Sequence, residues 1–390
     1  MDIEELWGRK VGMLVSGGLS SVAVAAWLAA QGVETIAYVA DIGQTGPAPD
    51  AALYEALGRL GLTVRAVDLR AEMAETALRL VAHEASYDGG YWNTTGASRA
   101  VLVSGLAGAL RADGCEILAH GCVGGGNDQA RFARYGAALA PDLEVFAPWT
   151  APWMRERFPD RGSMAAYLDS VGFPEQLAGW ATYSVEGNLA GFSHESDLLE
   201  SLATPPTAVS PLMTVWPPQA ADEPQTVRIR FERSRPVEID GVPVSGLEAV
   251  LRANANGGRH GISLRSTVEN RVNGTKCRGV YEAPGLDVLG QCLAALRQAC
   301  LDKPGTLLMR ELSGALATAV YEGRCFDAAG RAAAEAADIL AAEVSGTVVA
   351  ELYRGTVTVH TLTDLPGNRG TARQTRFTQG GHHWQLEAAS

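Results

Sequence analysis

Val11-Gly12-Met13-Leu14-Val15-Ser16-Gly17-Gly18-Leu19-Ser20-Ser21 and the apolar run that follows it, Val22 to Ala30, set the fold class. Val11 to Val15 is a short, fully apolar stretch that reads as a buried strand, and Ser20 to Ala30 carries helical spacing. The paired glycines between them permit a sharp turn, so the helix amino end sits over the tip of the strand. Unpaired N–H groups and a positive dipole at that end make a seat for phosphate. The loop matches neither GxxxxGK[ST] nor GxGxxG. A serine-capped strand-to-helix turn explains the same residues without any ligand.

Outward from this unit, Thr35 to Ala40 reads as a second strand, and Leu62 to Leu69, Glu116 to Ala119 and Leu143 to Phe146 as further short buried strands. Helical spacing lies between them, over Ala51 to Leu60, Ala71 to Ala85 and Ala97 to Arg111. Strands alternating with helices predict an α/β domain with a doubly wound parallel sheet, which takes ligands beyond its strands' carboxyl ends. The texture changes after Pro152: Phe158 to Gly162 is a turn cluster, and Ala203 to Pro224 is polar and Pro-rich. Val227 to Phe231 with Val237 to Ile239, and Val348 to Tyr353 with Thr356 to Thr361, read as hairpins, while Leu286 to Leu301 and Thr306 to Tyr321 read as helices. The expected division is a nucleotide-binding domain over 1–170, an α+β domain over 171–370 and a polar tail over 371–390.

The 390 residues suit two or three domains. With 32 Lys and Arg against 44 Asp and Glu the net charge is −12, which argues against binding a nucleic-acid backbone but leaves room for an anionic small molecule in a local pocket. No apolar stretch approaches the roughly 20 residues a bilayer requires. The amino terminus, Met1-Asp2-Ile3-Glu4-Glu5, lacks the features of a secretory signal, so a cytoplasmic protein is expected. The six cysteines form no CxxC and have no histidines at metal spacing, which predicts reduced, mostly buried thiols and no metal-ligand set.

A second glycine run, His120-Gly121-Cys122-Val123-Gly124-Gly125-Gly126, leads into Asn127-Asp128-Gln129-Ala130-Arg131-Phe132. Glycines allow close approach of backbone to ligand, and the polar cluster behind them has little use in packing. With SGGL at 16–19, Asp41-Ile42-Gly43-Gln44, Tyr91 with Thr95 and Arg99, Tyr183-Ser184 with Asn188, Ser193 with Glu195, Val268-Glu269-Asn270-Arg271 and Lys276 to Glu282, the chain resembles the argininosuccinate synthetase family of the ATP pyrophosphatase superfamily.

The resemblance implies a cytoplasmic homotetramer that uses ATP and Mg2+ to join two amino-acid substrates. The ureido oxygen of citrulline attacks the α-phosphate, pyrophosphate leaves, and the amine of aspartate displaces AMP. Position by position, it implies that Ser16, Gly17, Gly18, Ser20, Ser21, Ala40 and Gly121 meet ATP. Citrulline falls to Tyr91, Asn127, Arg131, Ser184, Ser193, Glu269 and Tyr281, and aspartate to Thr95, Asn127 and Asp128. Asp128 and Arg99 are the implied catalytic groups. From the residues alone, Glu269 could equally be a surface partner of Arg271, and Tyr281 a core residue.

The departures cluster. The family loop reads SGGLDTS, whereas Ser20, Ser21 and Val22 stand here in place of Asp, Thr and Ser. Gly96 replaces a serine, Val123 a threonine and Gly125 a lysine. Three outcomes fit: an active ligase for citrulline or a close analogue, a relative specialised for another amine donor or acceptor, or a binding protein that has lost catalysis.

Overall fold

The computed structural model describes residues 1–44, 51–123, 126–174 and 184–366. The polar tail expected over 371–390 lies outside them, as do the side chains of Ser184 and Asp197. β1 (Lys10–Leu14), α1 (Leu19–Ala30), β2 (Glu34–Asp41), α2 (Ala51–Arg59), β3 (Thr63–Asp68), α3 (Arg70–Ala82), α4 (Thr94–Ala112), β4 (Ile117–His120), α5 (Asn127–Leu139) and β5 (Glu144–Phe146) follow in order, as the sequence predicts except that α5 has no counterpart in its reading. Their strands form a parallel sheet in the order β3-β2-β1-β4-β5. Successive residues alternate faces: Val11, Met13 and Val15 pack with α1 in one core, whereas Tyr38 and Leu118 point into the other with α3 and α4. The sheet is thus doubly wound. Its order reverses between β1 and β4, where loops that follow neighbouring strands diverge and leave a crevice.

β3 corrects one expectation. It was expected to be a buried strand, but it lies at the sheet edge, and Thr63, Arg65 and Ala66 are exposed. A strand with one neighbour keeps its other flank in water.

α6 (Pro152–Arg157) and α7 (Arg161–Ser170) follow, and α7 packs against α1. The expected turn cluster at Phe158 to Gly162 holds a helix start: the Asp160 carboxylate accepts from the Ser163 N–H at 2.7 Å. Beyond it, β6 (Ser184–Asn188), β7 (Gly191–Glu195), α8 (Asp197–Glu200), β8 (Gln225–Glu232), β9 (Arg235–Ile239), β10 (Val242–Pro243), α9 (Gly246–Arg259), β11 (Leu264–Asn270) and β12 (Lys276–Glu282) follow in order. The chain continues through α10 (Pro284–Cys300), α11 (Lys303–Glu322), α12 (Ala328–Ala341), β13 (Gly346–Tyr353) and β14 (Thr356–Thr363). Two antiparallel sheets result, β10-β9-β8-β13-β14 and β11-β12-β7-β6. The α+β expectation for this half therefore holds, although α9 and α12 have no counterpart in the sequence reading. Both predicted hairpins are present, with left-handed turn pairs at Arg233-Ser234 and Arg354-Gly355 that match strand twist.

The two halves share one core, which runs from α3 and α4 through α9 and α10 to β13. They also meet at the tip of β2. There the Leu189 N–H, in the β6–β7 turn, donates to the Ile42 carbonyl at 2.9 Å. Gly43 sits so close that a Cβ on it would lie 2.5 Å from Leu189 Cβ. That contact fixes the β6–β7 hairpin over the carboxyl edge of the parallel sheet. Among the described residues, no helix is long and apolar enough to cross a membrane.

Candidate active site

The glycine loop occupies the β1 side of the crevice. Gly17 has φ +80°, a left-handed conformation that costs other residues strain, and Gly18 caps α1. Ser21 turns inward. Its hydroxyl donates to the Gly18 carbonyl at 2.9 Å, lies 3.2 Å from the Ser16 hydroxyl and accepts from the Ser16 N–H at 3.2 Å. Ser21 therefore braces the loop from below, while Ser20 is only half-buried. Val22 is fully buried, so the family's serine there would place a hydroxyl in the core. Ala40, buried at the tip of β2, accepts from Gln44 Nε2 at 2.8 Å.

Gly121 closes the seat from the β4 side. A Cβ on Gly121 would come within 2.6 Å of Ser21 Cα and 2.9 Å of its backbone nitrogen, so the two loops touch main chain to main chain. Below it, burial lowers the His120 imidazole to about pKa 4 and keeps it neutral. Its ring stacks on Phe132, with centroids 4.4 Å apart.

On the other flank of Cys122 and Val123 opens a cavity of about 270 Å³. One wall is an ion chain. Arg131 Nη1 donates to Asp128 Oδ1 at 2.9 Å, and Arg99 Nη2 donates to Asp128 Oδ2 at 2.7 Å and also to Glu186. Burial opposes ionisation of Asp128, but Arg99 and Arg131 outweigh it and hold the carboxyl well below the usual range. Arg131 is anchored from behind as well: its Nε donates to the Tyr321 carbonyl at 2.7 Å, and its guanidinium lies 4.9 Å over the Tyr321 ring.

Facing it stands Glu269. Only 3% exposed, it accepts from the Tyr91 hydroxyl and from the Tyr321 hydroxyl at 2.7 Å. The surface pairing with Arg271 considered from sequence does not form, because Arg271 Nη2 faces Glu195 at 3.6 Å. Tyr281 is buried and stacks on Tyr91 at 3.9 Å, and both rings line the cavity. Burial, with Tyr281 and Glu269 beside it, pushes the Tyr91 phenol well above its ordinary value, so it is a donor rather than a phenolate. Asn127 bridges: Nδ2 donates to the Tyr321 hydroxyl at 2.8 Å, and Oδ1 accepts from the Val272 N–H at 2.9 Å. Thr95 and Ser193 hydroxyls meet at 3.0 Å. Ser184 begins β6 opposite Glu195.

The cavity thus gathers Tyr91, Thr95, Asn127, Asp128, Arg131, Ser193, Glu269 and Tyr281 into one wall set. Arg99 supports it from behind Asp128, and Asn188 is structural: it is buried, with Nδ2 donating to the Thr94 carbonyl at 3.2 Å. Sequence reasoning missed Asn93, Glu186 and Tyr321. Asn93 carries a readable signal, an Asn before a helical run. Tyr321 carries none, since it reaches the site from the far end of α11.

Among the described residues, no group of three His, Cys, Asp or Glu could hold a metal. The donor set at the loop is hydroxyl and backbone.

A family model described as the Arginosuccinate synthase N-terminal HUP domain matches residues 10–174, and one described as the Arginosuccinate synthase C-terminal domain matches residues 183–364. With the two halves matched in order, the chain belongs to the argininosuccinate synthase family.

Proposed function

We propose that the protein is an AMP-forming carbon–nitrogen ligase that adenylates the ureido group of citrulline, or of a close analogue, and joins the activated carbon to an amine. The observation that carries this reading is the opposition of the Arg131–Asp128 pair and buried Glu269 across one small cavity. An amino acid brings an α-carboxylate and an α-ammonium, and a guanidinium facing a carboxylate meets both by charge-assisted hydrogen bonds.

The backbone contact of Gly121 with Ser21 puts this pocket beside the glycine loop, where ATP would lay its triphosphate on the amino end of α1. The ureido oxygen bonds to the α-phosphorus as pyrophosphate leaves. The amine nitrogen then bonds to the activated carbon, the C–O bond to AMP breaks and the amine proton passes to solvent. Helix amides stabilise charge developing on pyrophosphate, and the pocket holds the acceptor in line. Magnesium would spread the charge of the phosphates, held by the nucleotide and water with the Ser16 and Ser20 hydroxyls of the glycine loop as candidate ligands. Aspartate is the family's amine donor, and a cytoplasmic homotetramer its expected form.

With ATP, magnesium and citrulline the protein should catalyse pyrophosphate exchange, and product mass should appear when an amine is added. Arg131→Ala and Glu269→Ala should each weaken acceptor binding about tenfold or more, since a buried charged group left unpartnered costs upwards of ~1–3 kcal/mol. If calorimetry finds neither citrulline nor any other amino acid bound in the presence of nucleotide, the acceptor assignment fails. Binding without exchange would identify a protein that has lost catalysis.

Ser20→Asp restores a carboxylate at the first turn of α1, where a negative charge is also favoured by about 0.3–1 kcal/mol. Exchange should quicken and the magnesium concentration for half-maximal rate should fall. An unchanged magnesium dependence would show that the loop carboxylate is irrelevant in this chain.

A further inference from the structure

Tyr321 is 1% exposed and is not among the residues that line the cavity, yet it touches three groups assigned to the acceptor, each through a different part. Its carbonyl accepts from Arg131 Nε at 2.7 Å, its ring lies 4.9 Å from the same guanidinium, and its hydroxyl joins Asn127 to Glu269. The direction of that last link is set. Asn127 Oδ1 accepts from the Val272 N–H at 2.9 Å, so Nδ2 is the end that meets the hydroxyl, at 2.8 Å. The hydroxyl's own proton then goes to Glu269 Oε1, at 2.7 Å. Burial, and after it the charge of Glu269, push the phenol up and keep that proton in place.

The ring is firmly held. Tyr87 stacks on it, with centroids 3.9 Å apart. Two residues on, Gly323 closes α11 in a left-handed cap, where a Cβ would lie 2.9 Å from Arg131 Cα, and Arg134 Nη1 donates to the Glu322 carbonyl. The last turn of α11 is thus pressed onto α5, and a planar ring that cannot bend spans from Arg131 to Glu269. Without its hydroxyl, Glu269 Oε1 would keep only the Cys277 thiol, at 3.4 Å, among the described residues.

We infer that Tyr321 is a positioning residue for the acceptor: one aromatic ring sets the separation of the Arg131 guanidinium from the Glu269 carboxylate, and so selects a ligand that carries an α-ammonium beside its α-carboxylate. The inference rests on the ligase reading above. An α-amino acid bears both charges on one carbon, so its two charged partners must stand at a fixed spacing to be met together.

The test uses the full chain with a non-hydrolysable ATP analogue and magnesium, and calorimetry with citrulline and with citrulline lacking its α-amino group. Tyr321→Phe keeps the ring and the carbonyl and removes the hydroxyl. It should weaken citrulline by about tenfold or more and the des-amino analogue by less than about twofold, because only the ammonium needs Glu269. Arg134→Ala loosens the same helix end but leaves the hydroxyl, so the two ligands should keep their wild-type ratio even where the thermal midpoint falls. Wild-type citrulline affinity in Tyr321→Phe, an equal loss for both ligands, or the same loss of ratio in Arg134→Ala overturns the inference and leaves the ligase reading standing. If the wild-type protein binds no citrulline, the acceptor assignment fails and the inference falls with it.

Discussion

Asp128→Ala will lower citrulline-dependent pyrophosphate exchange by two orders of magnitude or more and will also destabilise the fold. Asp128 is the shared acceptor of Arg99 and Arg131, whose side chains are 12% and 6% exposed. Without it, two guanidiniums remain close together with little solvent to screen them. Removing one member of such a buried set costs about 3–5 kcal/mol. Arg131 would then swing away from the line it holds across from Glu269, and misplacement of about 1 Å is worth roughly 100-fold in rate. Asp128→Asn keeps the shape and one acceptor oxygen, so it should recover much of the stability in urea unfolding but little of the exchange. Wild-type exchange in either variant would remove Asp128 from the site.

Gly121→Val should abolish measurable ATP binding while leaving the amino-acid pocket able to take citrulline. The new Cβ collides with main-chain atoms of Ser21, at 2.6 and 2.9 Å, and main chain cannot rotate aside as a side chain can. The glycine loop must shift, and Ser21 loses its bonds to Gly18 and Ser16. Gly126 provides the control, because among the described residues a Cβ there meets nothing nearer than the Val123 carbonyl at 4.0 Å. Gly126→Ala should bind ATP within about twofold of wild type, a change of less than ~0.5 kcal/mol. Equal nucleotide affinity in both variants, read by calorimetry, would move the phosphate seat elsewhere.

Much of the first half was legible because its strands and helices follow simple periodicities. Val11 to Val15 is apolar throughout since both faces of β1 are covered, and the glycine loop has only one place to sit above it. Sheet order leaves no such trace, which is why exposed β3 was expected to be buried. The second half was harder for a physical reason that β11 makes plain. There Val268 is 45% exposed and Glu269 is 3% exposed, so the strand alternates apolar-out and charged-in, the reverse of a core strand. Periodicity reads such a segment as loop, and only the family resemblance drew attention to Glu269. α9 was hidden differently: its Asn and Gly residues are poor helix formers, and the Ser245–Glu248 capping box with packing on α10 overrides them.

The bond from Arg131 to the Tyr321 carbonyl spans 190 residues of chain, and that separation has a consequence during synthesis. A ribosome adding 5–20 residues per second takes about 10–40 s to travel from one to the other. Ser21 and Gly121 can come together early, so the phosphate seat is complete on the nascent chain while α11 does not yet exist. Until it does, Glu269 and Asn127 lack the hydroxyl that joins them, and Arg131 lacks the ring beneath it. On the reading proposed above, a half-made chain would have its glycine loop in place but no finished wall for an amino acid, and would gain that wall only when the helix that anchors Arg131 and Glu269 has been translated.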